Sequence, residues 1–308
     1  MKKNLIVLIL IVPLAVNAQL QNPATVPSKD SANAFLIYPP AHPLHPQFLY
    51  EKPRPFTFLT NVPRDLIEIA KTPFEKNNLK GMAIVAAATA ILLPLDQRIM
   101  NSVGRTSHRI GLGPQVQYDK ILQLRGQTLF TWPDNLNSTF YQLGEGTTTL
   151  GMTGLLFVYG RIAKDYRSLQ TASDLLEAYI SMGITVQTLK RIAGRQAPFK
   201  ATIPGGRWRP FPSFSKYQRY TTEYDAFPSG HLATMMATTT VLAENYPEKK
   251  WIRPLGYLLT GLTGWSMVNN RVHWTSDFPL GLGIGYLAGK LAYKSHHKKE
   301  QMLKVITP

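Results

Sequence analysis

The chain has 308 residues, with 34 Lys and Arg against 18 Asp and Glu, and a formal net charge of +16 at pH 7. Its apolar fraction of 44% excludes disorder of the whole chain, and a mean hydropathy of −0.11 argues against a protein made mostly of membrane spans. There is no cysteine, which excludes disulfides, thiolate metal sites and thiol catalysis. The positive charge suits anionic partners, namely phosphorylated substrates or anionic lipid head groups. No other feature indicates nucleic acid as a partner.

Residues 1–18 are predicted to be a signal peptide. Lys2 and Lys3 form a basic start, an apolar region runs from Leu5 to Val16, and Ala18 ends a small-residue cleavage site. An uncleaved anchor helix is the alternative. We expect an exported protein, located in the periplasm or associated with the membrane on the outer side of the inner membrane.

Residues 19–78 are predicted to form a proline-rich arm. Nine prolines lie between Gln21 and Pro63, where no helical period is visible. Segments of this composition run over a surface as spacers or straps. Aromatic and aliphatic residues interrupt the prolines, so we expect parts of the arm to pack against the main domain.

Residues 79–293 are predicted to be an all-α domain, a six-helix up-and-down bundle of apolar helices, because no window shows sustained strand alternation. Short charged connections predict that the flanking helices are antiparallel neighbours. The basic tail, 294–308, is predicted to be a solvated end or a contact with a membrane surface rather than a site. The six predicted segments are 80–95, 147–160, 174–192, 231–245, 254–268 and 278–293.

Whether these helices cross a membrane is open from the sequence. A spanning helix needs about 20 predominantly apolar residues, and polar residues such as Asp96 and Glu244 cut the runs short of that length. Such runs are more typical of buried core helices. We favour a helical domain that lies wholly beyond the inner membrane, either free of lipid or resting on a lipid surface, over a spanning one.

The residues that offer chemistry come from three segments, which an up-and-down bundle brings to one end. The third predicted helix carries Lys190 in its last turn, Gly194 is its predicted C-cap, and Arg195 follows directly. The fourth begins in the segment 228–231, Pro-Ser-Gly-His, and the segment 269–277 returns to the same end.

These segments predict a site for phosphoryl transfer. Ser229 is a natural N-cap, and the amides around Gly230 are free donors for an anion at a helix start. Asp277 lies four residues after His273 and can accept a hydrogen bond from one imidazole nitrogen, which leaves the other nitrogen as a nucleophile. His231 can then protonate a leaving oxygen. Each motif alone is equally compatible with a helix start or a structural hydrogen bond. A metal ion is disfavoured because the surrounding cations would repel it.

The order of the motifs resembles the type 2 phosphatidic acid phosphatase family. They are Lys190…Gly-Arg-x-x-Pro198, Pro228-Ser-Gly-His231 and His273-x-x-x-Asp277. That family shares its helical fold with bacterial class A acid phosphatases and vanadium haloperoxidases, and the resemblance covers roughly residues 80–293.

The resemblance implies a metal-free mechanism without any cofactor, in which a phosphohistidine forms and is hydrolysed. The nucleophile would be His273, oriented by Asp277, and the general acid would be His231. The implied phosphate contacts are Lys190 and the oxyanion cradle of Ser229 and Gly230.

Two positions depart from the family pattern. The arginine of the first motif is replaced by Ala197 and that of the third by Met267. Both missing arginines grip the phosphate in the family, and losing such a cation can cost several kcal/mol of transition-state stabilisation. Arg195 and Arg271 are close in sequence, and we predict that they take over substrate binding.

The insert 199–227 between the first two motifs is rich in cations and aromatic residues. It is either a solvated basic loop with aromatic residues packed on the bundle, or a lid whose cations hold the phosphate and whose aromatic residues cover a lipid substrate.

The sequence therefore predicts an exported phosphatase for a phosphomonoester, a lipid phosphate or a pyrophosphate. One alternative is a degenerate, non-catalytic binder of an anionic lipid or a partner, favoured by Ala197 and Met267. The other is a haloperoxidase-like enzyme with vanadate held by His273. The particular substrate and the oligomeric state are open.

Overall fold

The structure is a computed structural model, and it describes residues 50, 52–114, 116–124 and 127–297. The predicted signal peptide, the arm as far as residue 49 and the tail beyond residue 297 lie outside the described residues. The described part of the chain is mostly helical.

Eleven α-helices and one β-hairpin form among the described residues. Each of the six predicted helical segments is helical, as α3, α6, α7, α9, α10 and α11, but six is too small a number of helices. The helices are α1 (Thr57–Thr60), α2 (Val62–Lys71), α3 (Leu79–Leu92), α4 (Asp96–Arg109), α5 (Leu136–Leu143), α6 (Gly146–Ile162), α7 (Tyr166–Ala193), α8 (Phe214–Arg219), α9 (Gly230–Asn245), α10 (Ile252–Asn269) and α11 (Phe278–His297).

The expectation of a purely α-helical domain is wrong at one place. Strands β1 (Tyr118–Leu124) and β2 (Gln127–Pro133) form an antiparallel hairpin. Register irregularities after Lys120 and Leu122 interrupt the pairing. A strand signal depends on strict alternation of polar and apolar residues, and such irregularities hide it.

The segment predicted as a proline-rich arm contains helix α2. Pro63 occupies the first turn, where a missing amide hydrogen costs nothing because that turn has no acceptor for it. The helix buries Val62, Asp65 and Ile69 and packs against α7 and α11. Residues 62–71 are therefore part of the helical body rather than a spacer.

Helices α7, α9 and α11 form the centre of the bundle. Helix α9 packs on α7, α10 and α11, and α6 packs on α7 and, less extensively, on α9. The contact between α9 and α11 is close: a β-carbon added to Gly281 would lie 2.5 Å from the Ser229 carbonyl oxygen. Glycine at this position thus lets α11 approach the start of α9.

Helix α3 is not the core helix that its apolar sequence suggested. None of its residues is buried, and it continues through a short 3-10 turn, Leu93–Leu95, into α4. The stretch Leu79–Arg109 is long and apolar enough to cross a membrane, by length and composition alone, and 6% of its apolar window is buried.

The beginning of the predicted tail is not a solvated end either. Residues 294–297 form the last turn of α11, and His296 lies in a buried polar cluster at the end of the bundle where α7 begins. Its Nδ1 atom is 2.7 Å from Asp174 Oδ1, and its Nε2 atom is 3.4 Å from Glu177 Oε2. This cluster ties α11 to α7 and, through Asn61, to the N-terminal helices.

Candidate active site

The end of α7 brings Lys190 to the site. Gly194 caps the helix in the left-handed conformation, with φ of 57°, as predicted. A β-carbon at Gly194 would overlap the Arg209 carbonyl, so the insert can pack directly on the cap. Lys190 is buried in the last turn, with its Nζ atom 3.7 Å from Asp225 Oδ2.

The start of α9 faces Lys190. Ser229 is the N-cap, as predicted, and its hydroxyl accepts a hydrogen bond from the Leu232 amide. A β-carbon added to Gly230 would lie 4.0 Å from Lys190 Nζ, which places the ammonium group beside the first turn of α9. The Ser229 amide donates to the Asp277 carbonyl at 3.0 Å and so links the second motif to the third.

His273 is buried, and a backbone carbonyl fixes its tautomer. Its Nδ1 atom lies 2.8 Å from the Ala226 carbonyl oxygen, which can only accept a hydrogen bond. Nδ1 therefore carries the proton and Nε2 keeps a free lone pair. The His273 ring lies 5.6 Å from the His231 ring, between centroids. The two predicted catalytic histidines are thus brought together.

Asp277 does not make the hydrogen bond that we expected. Its Oδ2 atom is 3.5 Å from His273 Nδ1, while the Ala226 carbonyl is nearer. The same oxygen accepts from the Trp274 amide at 2.7 Å, and Oδ1 accepts from Arg195 at 2.5 Å. Asp277 is therefore an electrostatic neighbour of His273 rather than its hydrogen-bond acceptor.

Neither of the two arginines expected to replace the missing cations reaches the pocket. The Arg195 guanidinium is fully buried and bonded to Asp277 and Asp96. Arg271 is exposed, with φ of 55°, and only its backbone approaches the site, where its carbonyl accepts from the Phe199 amide. The placement of both side chains corrects the expectation of direct substrate contact.

The two histidines line a pocket of about 320 Å³ with only one cation, Lys190, among its lining residues. Ala197 lines the pocket at the position where the family has an arginine, whereas Met267 is fully buried. The lining residues are Tyr141, Lys190, Ala197, Phe199, Thr222, Asp225, His231, Val272 and His273.

The pocket also contains residues that the sequence did not indicate. Tyr141 comes from α5, far from any motif, and its ring lies 5.0 Å from that of His231. Asp225 lies six residues before His231, and its position just ahead of the second motif is the one signal that could have identified it.

The insert 199–227 folds back on the end of α7, and its cations lie outside the pocket lining. Arg209 pairs with Glu223, and none of the five insert cations is among the residues that line the pocket. Phe199 alone of its aromatic residues reaches the lining, while Phe211 and Phe214 are about three-quarters exposed, at 74% and 75%. The exposed aromatic residues are thus compatible with a lid, whereas the cations of the insert do not lie where a lid would need them to bind phosphate.

Burial governs the protonation of the site. Desolvation, reinforced by Lys190, lowers the pKa of His273 to about 3. Burial, with His273 and Lys190 nearby, also lowers the pKa of His231 well below its usual value. Burial raises the pKa of Asp277 to about 7, although Arg195 opposes that rise. Near pH 7 these shifts favour the neutral form of both histidines.

Comparison with known proteins supports the motif analysis. Residues 171–301 match the family model of the PAP2 superfamily. The lipid A 1-phosphatase of Porphyromonas gingivalis is 35% identical over 82 residues, which is 26% of this chain and 18% of the relative. The matched region thus spans less than one-fifth of the length of that curated relative.

Two crystal structures are similar at low scores. LpxE from Aquifex aeolicus aligns with a TM-score of 0.39 and 22% identity, over 51% of this chain and 83% of LpxE. The first transmembrane PAP2 type phosphatidylglycerolphosphate phosphatase from Bacillus subtilis aligns with a TM-score of 0.36 and 16% identity, over 80% and 96% of the chains. Neither structure bears on the assignment, which depends on the motifs and the family match. By these, residues 171–301 match the PAP2 superfamily, as the resemblance predicted.

Proposed function

We propose that the protein is an exported phosphatase that cleaves a lipid phosphate or pyrophosphate through a phosphohistidine. The observation that carries the proposal is the pair of histidines on one pocket, of which His273 is buried with Nδ1 on a backbone carbonyl and Nε2 free. A nucleophile, a proton donor and a cation are the parts that phosphoryl transfer needs.

In the first step Nε2 of His273 attacks phosphorus, and the bond between phosphorus and the leaving oxygen breaks. His231 gives its proton to that oxygen, so a monoester releases a neutral alcohol and a pyrophosphate releases a protonated phosphate monoester. Lys190 and the free amides at the start of α9 hold the oxygens of the transferring group. In the second step water attacks phosphorus, His231 takes its proton, and phosphate leaves as His273 is restored.

The protonation of His231 implies an acidic pH optimum. Its pKa is lowered by burial and by nearby positive charge, so the acid form is scarce at neutral pH. A bound phosphate dianion restores part of that form by Coulombic attraction. Because kcat/KM reports the free enzyme, we expect it to fall as the pH rises through the lowered pKa of His231, below the ordinary histidine range of about 6.5.

A lipid phosphate is the proposed substrate class. The P. gingivalis relative that matches this chain is named for lipid A, and apolar side chains are exposed on helices α3 and α6, which suits contact with a lipid surface. The exposed apolar residues on these helices are Leu79, Ile84, Ile91, Leu150, Leu155, Phe157, Val158, Tyr159 and Ile162.

The test of this proposal is phosphate release from phosphatidate and from p-nitrophenyl phosphate, with the wild type and His273→Ala compared in excess EDTA. We expect release by the wild type alone, and faster turnover of the lipid. Activity that EDTA abolishes would contradict the metal-free mechanism. Release that survives in His273→Ala would contradict the role of His273. Liposome flotation tests membrane contact: Ile84→Gln with Ile91→Gln is expected to reduce binding.

A second candidate function is binding of an anionic lipid without turnover. It is favoured by a specific observation: neither Arg195 nor Arg271 lines the pocket, and among the described residues Lys190 is its one lining cation. Saturable binding of phosphatidate, together with no phosphate release by the wild type from either ester, would support it over the phosphatase.

A further inference from the structure

Asp96 is a buried carboxylate that joins the site from outside the matched family segment. It is the first residue of α4 and 1% exposed. Its Oδ1 atom accepts from the Ser276 amide at 2.9 Å, and its Oδ2 atom accepts from the Ser276 hydroxyl and, at 2.7 Å, from Arg195 Nη2. Asp96 therefore holds the turn that carries Asp277.

Arg195 connects Asp96 to Asp277. Its Nη1 atom donates to Asp277 Oδ1 at 2.5 Å and to the Ser276 hydroxyl at 2.7 Å, and Nη2 also donates to the Gly205 carbonyl. The guanidinium is fully buried, with its central carbon 4.8 Å from the Trp208 ring centre. A guanidinium held on so many sides has little freedom to move.

We propose that Asp96 is a positioning residue of the phosphoryl-transfer site, which acts through Arg195 to hold Asp277 and to set the charge that Asp277 presents to His273. The inference rests on the proposed function. It assigns Arg195 to the support of the nucleophile rather than to the substrate, which explains why an arginine of the first motif is buried away from the pocket.

The charges around Asp277 determine the direction in which each substitution should shift its ionisation. Two carboxylates, Asp96 and Asp277, share one guanidinium, and Lys190 and His273 are the other titratable groups near Asp277. If Asp96 is neutralised, the positive charge of Arg195 acts on Asp277 alone and favours the ionised form of Asp277. If Arg195 is neutralised, the ionised form of Asp277 is disfavoured. A role in packing alone would shift neither ionisation in a fixed direction.

The experiment measures kcat and KM for p-nitrophenyl phosphate from pH 4 to pH 9 with the full chain. For Asp96→Asn we expect kcat at pH 7 to fall by about tenfold or more, with KM within about twofold and the acid limb of the profile moved to lower pH. For Arg195→Gln we expect the acid limb to move to higher pH. Shifts in the same direction, unmoved limbs, or a raised KM with unchanged kcat would overturn the proposal.

A matched control is Asp65→Asn, a carboxylate equally buried, at 1% exposed, but packed where α2 meets α7 and α11. We expect it to lose stability and keep the wild-type pH profile. If Asp96→Asn does not fold, Ser276→Ala removes a single hydroxyl from the same network; kcat should fall several-fold with KM unchanged, and an unchanged kcat would overturn the proposal.

A double-variant cycle separates this inference from the proposed function. Unfolding of Asp96→Asn, Asp277→Asn and the double variant is compared with the wild type at pH 7. We expect the effect of the double variant on the unfolding equilibrium constant to differ by about tenfold from the combined effects of the two single variants. This expectation holds whether or not the protein releases phosphate. Additive effects would overturn the link between Asp96 and Asp277. A wild type inactive on every ester would overturn the proposed function, and the cycle would still decide the link.

Discussion

Replacing Asp225 by Asn tests whether the charge balance of the pocket limits anion binding. Its Oδ2 atom lies 3.7 Å from Lys190 Nζ, and its side chain is 27% exposed. A phosphate that binds Lys190 must therefore approach this carboxylate. At about 4 Å one pair of unit charges interacts with about 1 kcal/mol in water, so a dianion meets a repulsion of about 2 kcal/mol near a partly exposed acid.

Removing that repulsion should tighten binding of inorganic phosphate by roughly 10- to 30-fold at low salt. Isothermal titration calorimetry with inorganic phosphate measures it without relying on turnover. The gain should shrink at high salt because the pair is partly exposed. Unchanged or weaker binding by Asp225→Asn would refute this reasoning.

The matched control is Glu223→Gln, which makes the same change of charge two residues away. Glu223 binds Arg209 and Gln196 and does not line the pocket. We expect phosphate affinity within about twofold of the wild type, since a partly exposed charge beyond the pocket is screened.

Three further predictions concern stability. Ser229→Ala removes the N-cap of α9 and should cost about 1 kcal/mol in urea unfolding, so an unchanged midpoint would contradict the cap. Gly281→Ala places a β-carbon 2.5 Å from the Ser229 carbonyl and should cost about 1–3 kcal/mol in the same assay, whereas a neutral effect would show that α11 can move away. Burial raises the pKa of Glu177 to about 9, so the native state keeps a proton that the unfolded chain releases, and stability falls as the pH rises from about 4.5 to about 9. Glu177→Gln should lose part of this fall in thermal unfolding between pH 5 and pH 8, and parallel curves for variant and wild type would contradict it.

The helices and their caps could be predicted from local sequence. Gly194 and Ser229 end and begin helices as expected, because a left-handed C-cap and a side-chain N-cap depend on few neighbouring residues. The hairpin was not predicted because its pairing is irregular. Helix α2 was not predicted because Pro63 was interpreted as a sign of extended chain. It lies in the first turn of the helix, which tolerates proline.

The composition of the pocket could be predicted only in part. Sequence order placed His231 and His273 at one end of the bundle, since three motifs lie at the ends of successive helices. The side-chain direction of Arg195 could not be predicted, because it depends on Asp96, a residue 99 positions away in the chain. Likewise, no local signal marks the Ala226 carbonyl as the partner of His273.

The central claim is that His273 takes the phosphoryl group on Nε2. Rapid acid-free quenching during turnover, followed by ³¹P NMR of the denatured protein and peptide mapping, distinguishes phosphate on the two imidazole nitrogens. We predict a phosphohistidine at Nε2 of His273, absent from His273→Ala and accumulated in His231→Ala when the substrate has a good leaving group. An active wild type with phosphate on Nδ1, or on another residue, would contradict the account.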